Sequence, residues 1–223
     1  MVVSSPHPFP SHPSARQSSA QRLTPAILLV AAWFVVALAA SAAGTFDQPP
    51  DAPPVAIGLA AGVPPLIVVG LLVGSGRFRR WVRDLDLRFL TLLQTWRVAG
   101  VAFLALLVVG ELPARFALPA GIGDVIVGLT APLVAVYLVG GGHRARWGYV
   151  GWTLFGIADL VAAVSLGVTT GQGMEPVAVL PLSMIPAFGV PLTLALHAIS
   201  LANAFQVEQF KAGQDPGLET ARR

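Results

Sequence analysis

The chain has 223 residues, 55% of them hydrophobic and 11% charged, with a formal net charge of +3 and a mean hydropathy of +0.72. Soluble domains carry about 25% charged residues, so a water-soluble fold of this length is excluded: its core could not absorb so much apolar side chain. The lack of cysteine excludes disulfides, iron–sulfur clusters and thiolate metal sites, and thirteen of the fourteen Lys and Arg residues are spread over the connectors and tails with no continuous basic face, which argues against nucleic acid as a partner.

Residues 1–23 are rich in Ser, Pro and His, a composition that cannot bury a core, and are expected to form a disordered tail. Six apolar stretches follow, each close to the roughly 20 residues that cross a bilayer. They run at about Thr24–Ala43, Pro54–Ser75, Phe89–Leu112, Pro119–Gly140 and Trp147–Val168, with the sixth inside Val177–Phe205. The last region is too long for one straight span. Pro181, Pro186 and Pro191 predict an irregular entry and a regular helix from about Ile185. Pro64-Pro65 is expected to kink or break the second segment, and Gly58-x-x-x-Gly62 to bring helices close together. Ala40-Ser41-Ala42 resembles a signal-peptidase site, but its apolar run of about 20 residues exceeds the 7–15 of a signal peptide. The expected organisation is all-α: a six-helix transmembrane domain over 24–206 and a C-terminal tail over 207–223.

Orientation follows from the basic residues. With both ends in the cytoplasm, the inner connectors and tails hold 12 of the 14, the outer loops hold only Arg115, and Arg97 falls within a span. By the positive-inside rule this predicts a multi-pass protein of the bacterial inner (plasma) membrane with N-in, C-in topology. Arg77, Arg79, Arg80 and Arg83, interleaved with Phe78 and Trp81, would meet anionic lipid headgroups on the inner face.

The chemistry should lie with the ionisable residues inside the spans. Arg97, Asp124, Asp159 and His197 each cost energy in hydrocarbon unless they face partners or water. Counting 1.5 Å per residue from the expected outer ends puts Glu111 at the outer mouth, Asp124 about 7 Å deep, Asp159 about 13 Å, His197 about 18 Å and Arg97 about 21 Å. The expectation is thus a ladder of polar groups drawn from four helices. Helical phase favours a shared interior: Asp124 lies with Gly121 and Gly128, Asp159 with Trp152 and Gly156, and His197 with Thr193 and Ser200. On the third segment, Arg97 shares its stripe with bulky Leu104 and Val108.

Gly121-Ile122-Gly123-Asp124 resembles the GxGD signature of the intramembrane aspartyl proteases, in which two aspartates share a proton to activate water. Asp159 could supply the second carboxyl, but it follows the motif instead of preceding it. Only His197 lies in a span, which leaves no histidine pair for haem. HExxH is absent, and the single lysine, Lys211, lies in the tail, away from any P-loop or Schiff-base position. No cofactor and no metal are therefore expected. The favoured function is a small, proton-coupled transporter of a small molecule or ion. In it Asp159 and His197 exchange protons, while Arg97 holds the counter-charge or binds an anion. One alternative is a membrane-embedded enzyme using the two aspartates on a lipid or peptide. Another is a non-catalytic subunit of a larger complex or a homo-oligomer.

Overall fold

The computed structural model describes residues 15–47 and 54–206. Every described element is helical, and six helices are long and apolar enough to cross a membrane: Thr24–Ala42, Val55–Gly74, Leu87–Val108, Ala114–Tyr137, Gly142–Thr170 and Ile185–Phe205. The protein is an all-α, multi-pass membrane protein. Its surface is the inverse of a soluble bundle. Leu66, Val73 and Val108 are exposed, whereas Gln94, Arg97, His197 and Asn203 are buried. That distribution is stable only where the surrounding solvent is hydrocarbon.

The helix of the first span begins at Ala15, inside the stretch expected to be a tail. Ala, Gln, Arg and Leu are good helix formers, and they propagate the turn outward from the apolar run. Residues 1–14 and 207–223 lie outside the described residues. The first span docks on the entry of the sixth. Trp33 and Phe34 meet the Phe188 ring edge-on at 5.0 and 5.1 Å, and Ser41 Oγ donates to the Met184 sulfur at 3.7 Å.

The second span runs unbroken through Pro64 and Pro65. The two prolines remove two N–H donors, and a helix embedded among neighbours tolerates that loss. Nothing lies within 4 Å of where a Cβ would stand on Gly58 or Gly62, so that glycine pair makes no close helix contact.

The third span tightens to a 3-10 helix over Leu93–Gly100, in mid-membrane. The fourth starts at Ala114, five residues ahead of expectation, because Pro113 takes an extended N-cap conformation and Pro119 is carried inside the helix. The prolines of the sixth span act as expected: a short helix Glu175–Ala178 is followed by turns, a wide π turn over Ile185–Gly189 and a regular helix from Val190. Trp96 of the third span packs on Gly189 of that π turn. The fourth span lies against the third and the fifth, and the sixth against the second and the fifth.

One end of the bundle is basic, and its arginines satisfy helix C-termini. Arg79 Nη1 donates to Leu72 O at 2.9 Å and Val73 O at 2.6 Å, closing the second span. Arg88 Nη2 reaches Val139 O at 3.3 Å beyond the fourth. A cation on terminal carbonyls offsets the helix dipole as well as the missing hydrogen bonds. In the short helix Gly76–Arg83, Phe78 and Trp81 stack at 5.6 Å and pack inward with Val82. Arg77, Arg80 and Arg83 are exposed, at the spacing of one helix face. Of the four residues expected at the headgroups, Arg79 also donates through Nη1 to the protein's own carbonyls.

Candidate functional site: a buried Asp–Arg–Asp cluster

The revised helix ends erase the ladder. Measured from the ends opposite the basic one, Arg97 is 11 residues from Val108, Asp124 10 from Ala114, Asp159 11 from Thr170 and His197 12 from Ile185. At about 1.5 Å per residue, all four sit some 15–18 Å deep, near the middle of a core about 30 Å thick.

Their side chains converge on one guanidinium. Arg97 Nε donates to Asp124 Oδ1 at 2.7 Å, and Nη2 donates to Asp159 Oδ2. Nη1 donates to Gly156 O at 3.3 Å and contacts His197 Nε2 at 3.2 Å. Four of the five N–H groups of the arginine are thereby engaged. Arginine has no acceptor, so His197 Nε2 must accept, and the ring proton sits on Nδ1. Nδ1 finds no partner among the described residues, and the ring is held on its other side by Trp152 at 5.7 Å.

Glycine makes this approach possible. A methyl group on Gly100 would overlap the Asp124 side chain, one on Gly123 would overlap the Asp159 carboxyl, and one on Gly156 would meet the His197 ring and Arg97 Nη1. Gly156→Ala should therefore cost about 1–3 kcal/mol by overpacking, read as a lowered Tm of the purified protein. An unchanged Tm would show that His197 moves aside freely.

Toward the basic end, the cluster continues as a column of buried polar side chains. Gln94 lies one turn from Arg97 with neither amide atom paired among the described residues. Thr91 Oγ1 and Tyr149 Oη stand 3.1 Å apart, beside Ser200. Asn203 Nδ2 donates to Val82 O at 3.2 Å and Leu85 O at 3.1 Å in the basic connector. Thr91, Gln94, Tyr149 and Asn203 carry no charge to mark them out in the sequence. Their signal was spacing, since 91, 94 and 97 share one face of the third span, and 197, 200 and 203 one face of the sixth.

Toward the opposite end, the cluster borders a cavity of about 140 Å³. Its walls come from the second to sixth spans and the connector that precedes the sixth, and they include Ile57, Phe103, Phe116, Leu160 and Ile185. Asp124 lies at its deep end, with Glu175 and Met174 toward the surface. Glu111, expected at the mouth, is exposed and does not line it; Glu175 is the carboxylate that does.

A family model described as "Domain of unknown function (DUF8737)" matches residues 54–205, more than half of the chain. The protein belongs to this family. No curated protein and no solved structure matches the chain. The DUF8737 stretch comprises the second to sixth spans, and so holds all four cluster residues and nearly the whole cavity wall; the first span precedes it.

The cluster also bears on the aspartyl-protease resemblance. A proton-sharing dyad needs its two carboxyls in direct contact. Here the Arg97 guanidinium bridges Asp124 and Asp159, each bonded to a different nitrogen. Likewise Arg97, held by two carboxylates, a carbonyl and an imidazole, offers no open face to an anion.

Proposed function

We propose that the protein is a small proton-coupled transporter of the bacterial inner membrane, N-in and C-in, whose cavity faces outward. One observation carries this reading: Asp124 belongs both to the ion cluster and to the cavity lining. A ligand in the cavity would thus act directly on the balance of the cluster. The basic residues at the other end support the orientation by the positive-inside rule.

Arg97 supplies one positive charge against two carboxyls. The second carboxyl needs another positive partner, and a proton or a cationic ligand can serve. Exchange of one for the other couples ligand movement to proton movement. The buried polar side chains Gln94, Tyr149, Thr91 and Asn203 lie between the cluster and the basic end, and a proton route to the inner face would pass beside them on bridging water.

The test is proton flux in proteoliposomes carrying an internal pH-sensitive dye, challenged with a panel of small amines, carboxylates and neutral solutes. At least one solute should drive flux well above that of protein-free vesicles, and Asp159→Asn or His197→Ala should reduce it at least tenfold. If both variants match the wild type for every solute that moves protons, the proposal fails.

A further inference from the structure

We infer that the cavity beside Asp124 binds a small organic ammonium ion with an apolar body about the size of benzene. The inference rests on the transport reading for its role, but it stands on the cavity's size, lining and charge.

Size comes first. An apolar cavity of about 150 Å³ admits benzene, and this one measures about 140 Å³. A lipid chain or a peptide side chain with its backbone is too long to be enclosed there. The lining is next. Its ionisable groups are two acids, Asp124 and Glu175, and every other side chain on the wall lacks a charge. Phe103 and Phe116, packed edge to face at 5.3 Å, present aromatic surface on one side. Apolar walls with one well-placed charge are the usual composition of a small-molecule site, and aromatic rings also attract an organic cation.

Charge decides the sign. Asp124 lines the cavity; its Oδ1 is taken by Arg97 Nε, and Oδ2, which lies beside Gly100, accepts no hydrogen bond from a described residue. An ammonium group offers three donors and a full positive charge to that oxygen. A carboxylate ligand would meet Asp124 and Glu175 as like charges, with Arg97 already engaged. A neutral ligand would bring no charge to exchange for the proton on the second carboxyl, and so would gain nothing from Asp124 beyond a hydrogen bond. The other groups facing Asp124 do not alter this count: Arg97 and Asp159 are the paired ions, and His197 is turned toward Arg97.

Glu175, toward the surface, fits a first contact that draws a cation inward. The ligand then exchanges a partial hydration shell for the carboxylate at the deep end, while its body displaces water or lipid from the walls.

The experiment is calorimetric titration of the full chain in lipid nanodiscs with benzylammonium, benzyl alcohol and benzoate. These three probes share a ring and differ in charge. Benzylammonium should bind saturably, at least tenfold more tightly than either of the others, and Asp124→Asn should weaken it at least tenfold. Glu175→Gln should weaken it by a smaller factor. Equal binding of benzyl alcohol, binding that survives Asp124→Asn, or no saturable binding would each overturn the inference. Proton flux measured on the same preparation separates this from the transport reading. Flux without benzylammonium binding removes the ligand class and keeps the transporter. Binding without proton movement keeps the ligand class and removes the coupling.

Discussion

Arg97→Met will lower the stability of the folded protein by about 3–5 kcal/mol, the usual cost of leaving a buried charge without its partner. The arginine is 1% exposed and joins the third, fourth, fifth and sixth spans through Asp124, Asp159, Gly156 and His197. Its loss leaves two carboxyls facing each other at mid-membrane. The measurement is thermal unfolding of the detergent-purified protein, together with its elution profile. The cause can be separated from a simple packing defect. Adding Asp124→Asn and Asp159→Asn to Arg97→Met removes the uncompensated charges and should recover a large part of the lost stability. If the triple variant is no more stable than Arg97→Met alone, charge balance is not what Arg97 supplies.

Asp124→Asn should have the opposite profile: folding kept, activity lost. It leaves Arg97 paired one to one with Asp159, and asparagine can still accept from Arg97 Nε through its amide oxygen. The Tm should stay within about 1 kcal/mol equivalent of the wild type, close to the worth of one ordinary hydrogen bond. Solute-driven proton flux should fall at least tenfold, because the carboxyl that meets the cavity is gone. A purely structural cluster predicts the reverse: a lowered Tm with unchanged flux. Measuring Tm and flux on the same sample decides between them.

Arg97 and Asp124 are legible in the sequence to a different degree from their surroundings. Span number and span placement are written in hydropathy, because a bilayer demands about 20 apolar residues per crossing whatever the detailed packing. The residues of the cluster are legible for the same reason: an arginine or aspartate in such a run is costly and so must be met by something. Their mutual geometry is less accessible. Moving the fourth helix start from Pro119 to Ala114 displaces Asp124 by about 7 Å in depth, and smaller shifts at the ends of the third and fifth spans complete the change from a ladder to a cluster. Helix ends depend on capping conformations, such as the extended Pro113, that hydropathy does not encode. Glycines show a similar limit. Gly58-x-x-x-Gly62 looks like a packing motif, yet an added methyl group would meet nothing there, whereas Gly100, which belongs to no pattern, admits the Asp124 side chain. What decides the matter is the neighbour across the interface, and that neighbour is distant in sequence.

The spacing of the cluster along the chain also sets an order of events at the ribosome. Arg97 precedes Asp124 by 27 residues and Asp159 by 62. When the third span leaves the translocon its arginine has no acidic partner, and a central arginine costs about 2.5–3.5 kcal/mol on insertion scales. That span should therefore linger at the translocon, or sit shallow with its arginine reaching for the interface, until the fourth span arrives. A nascent chain truncated between the two should be poorly integrated, and one extended past Asp124 should be retained. The ion cluster of the finished bundle would then also have served as a checkpoint in its assembly.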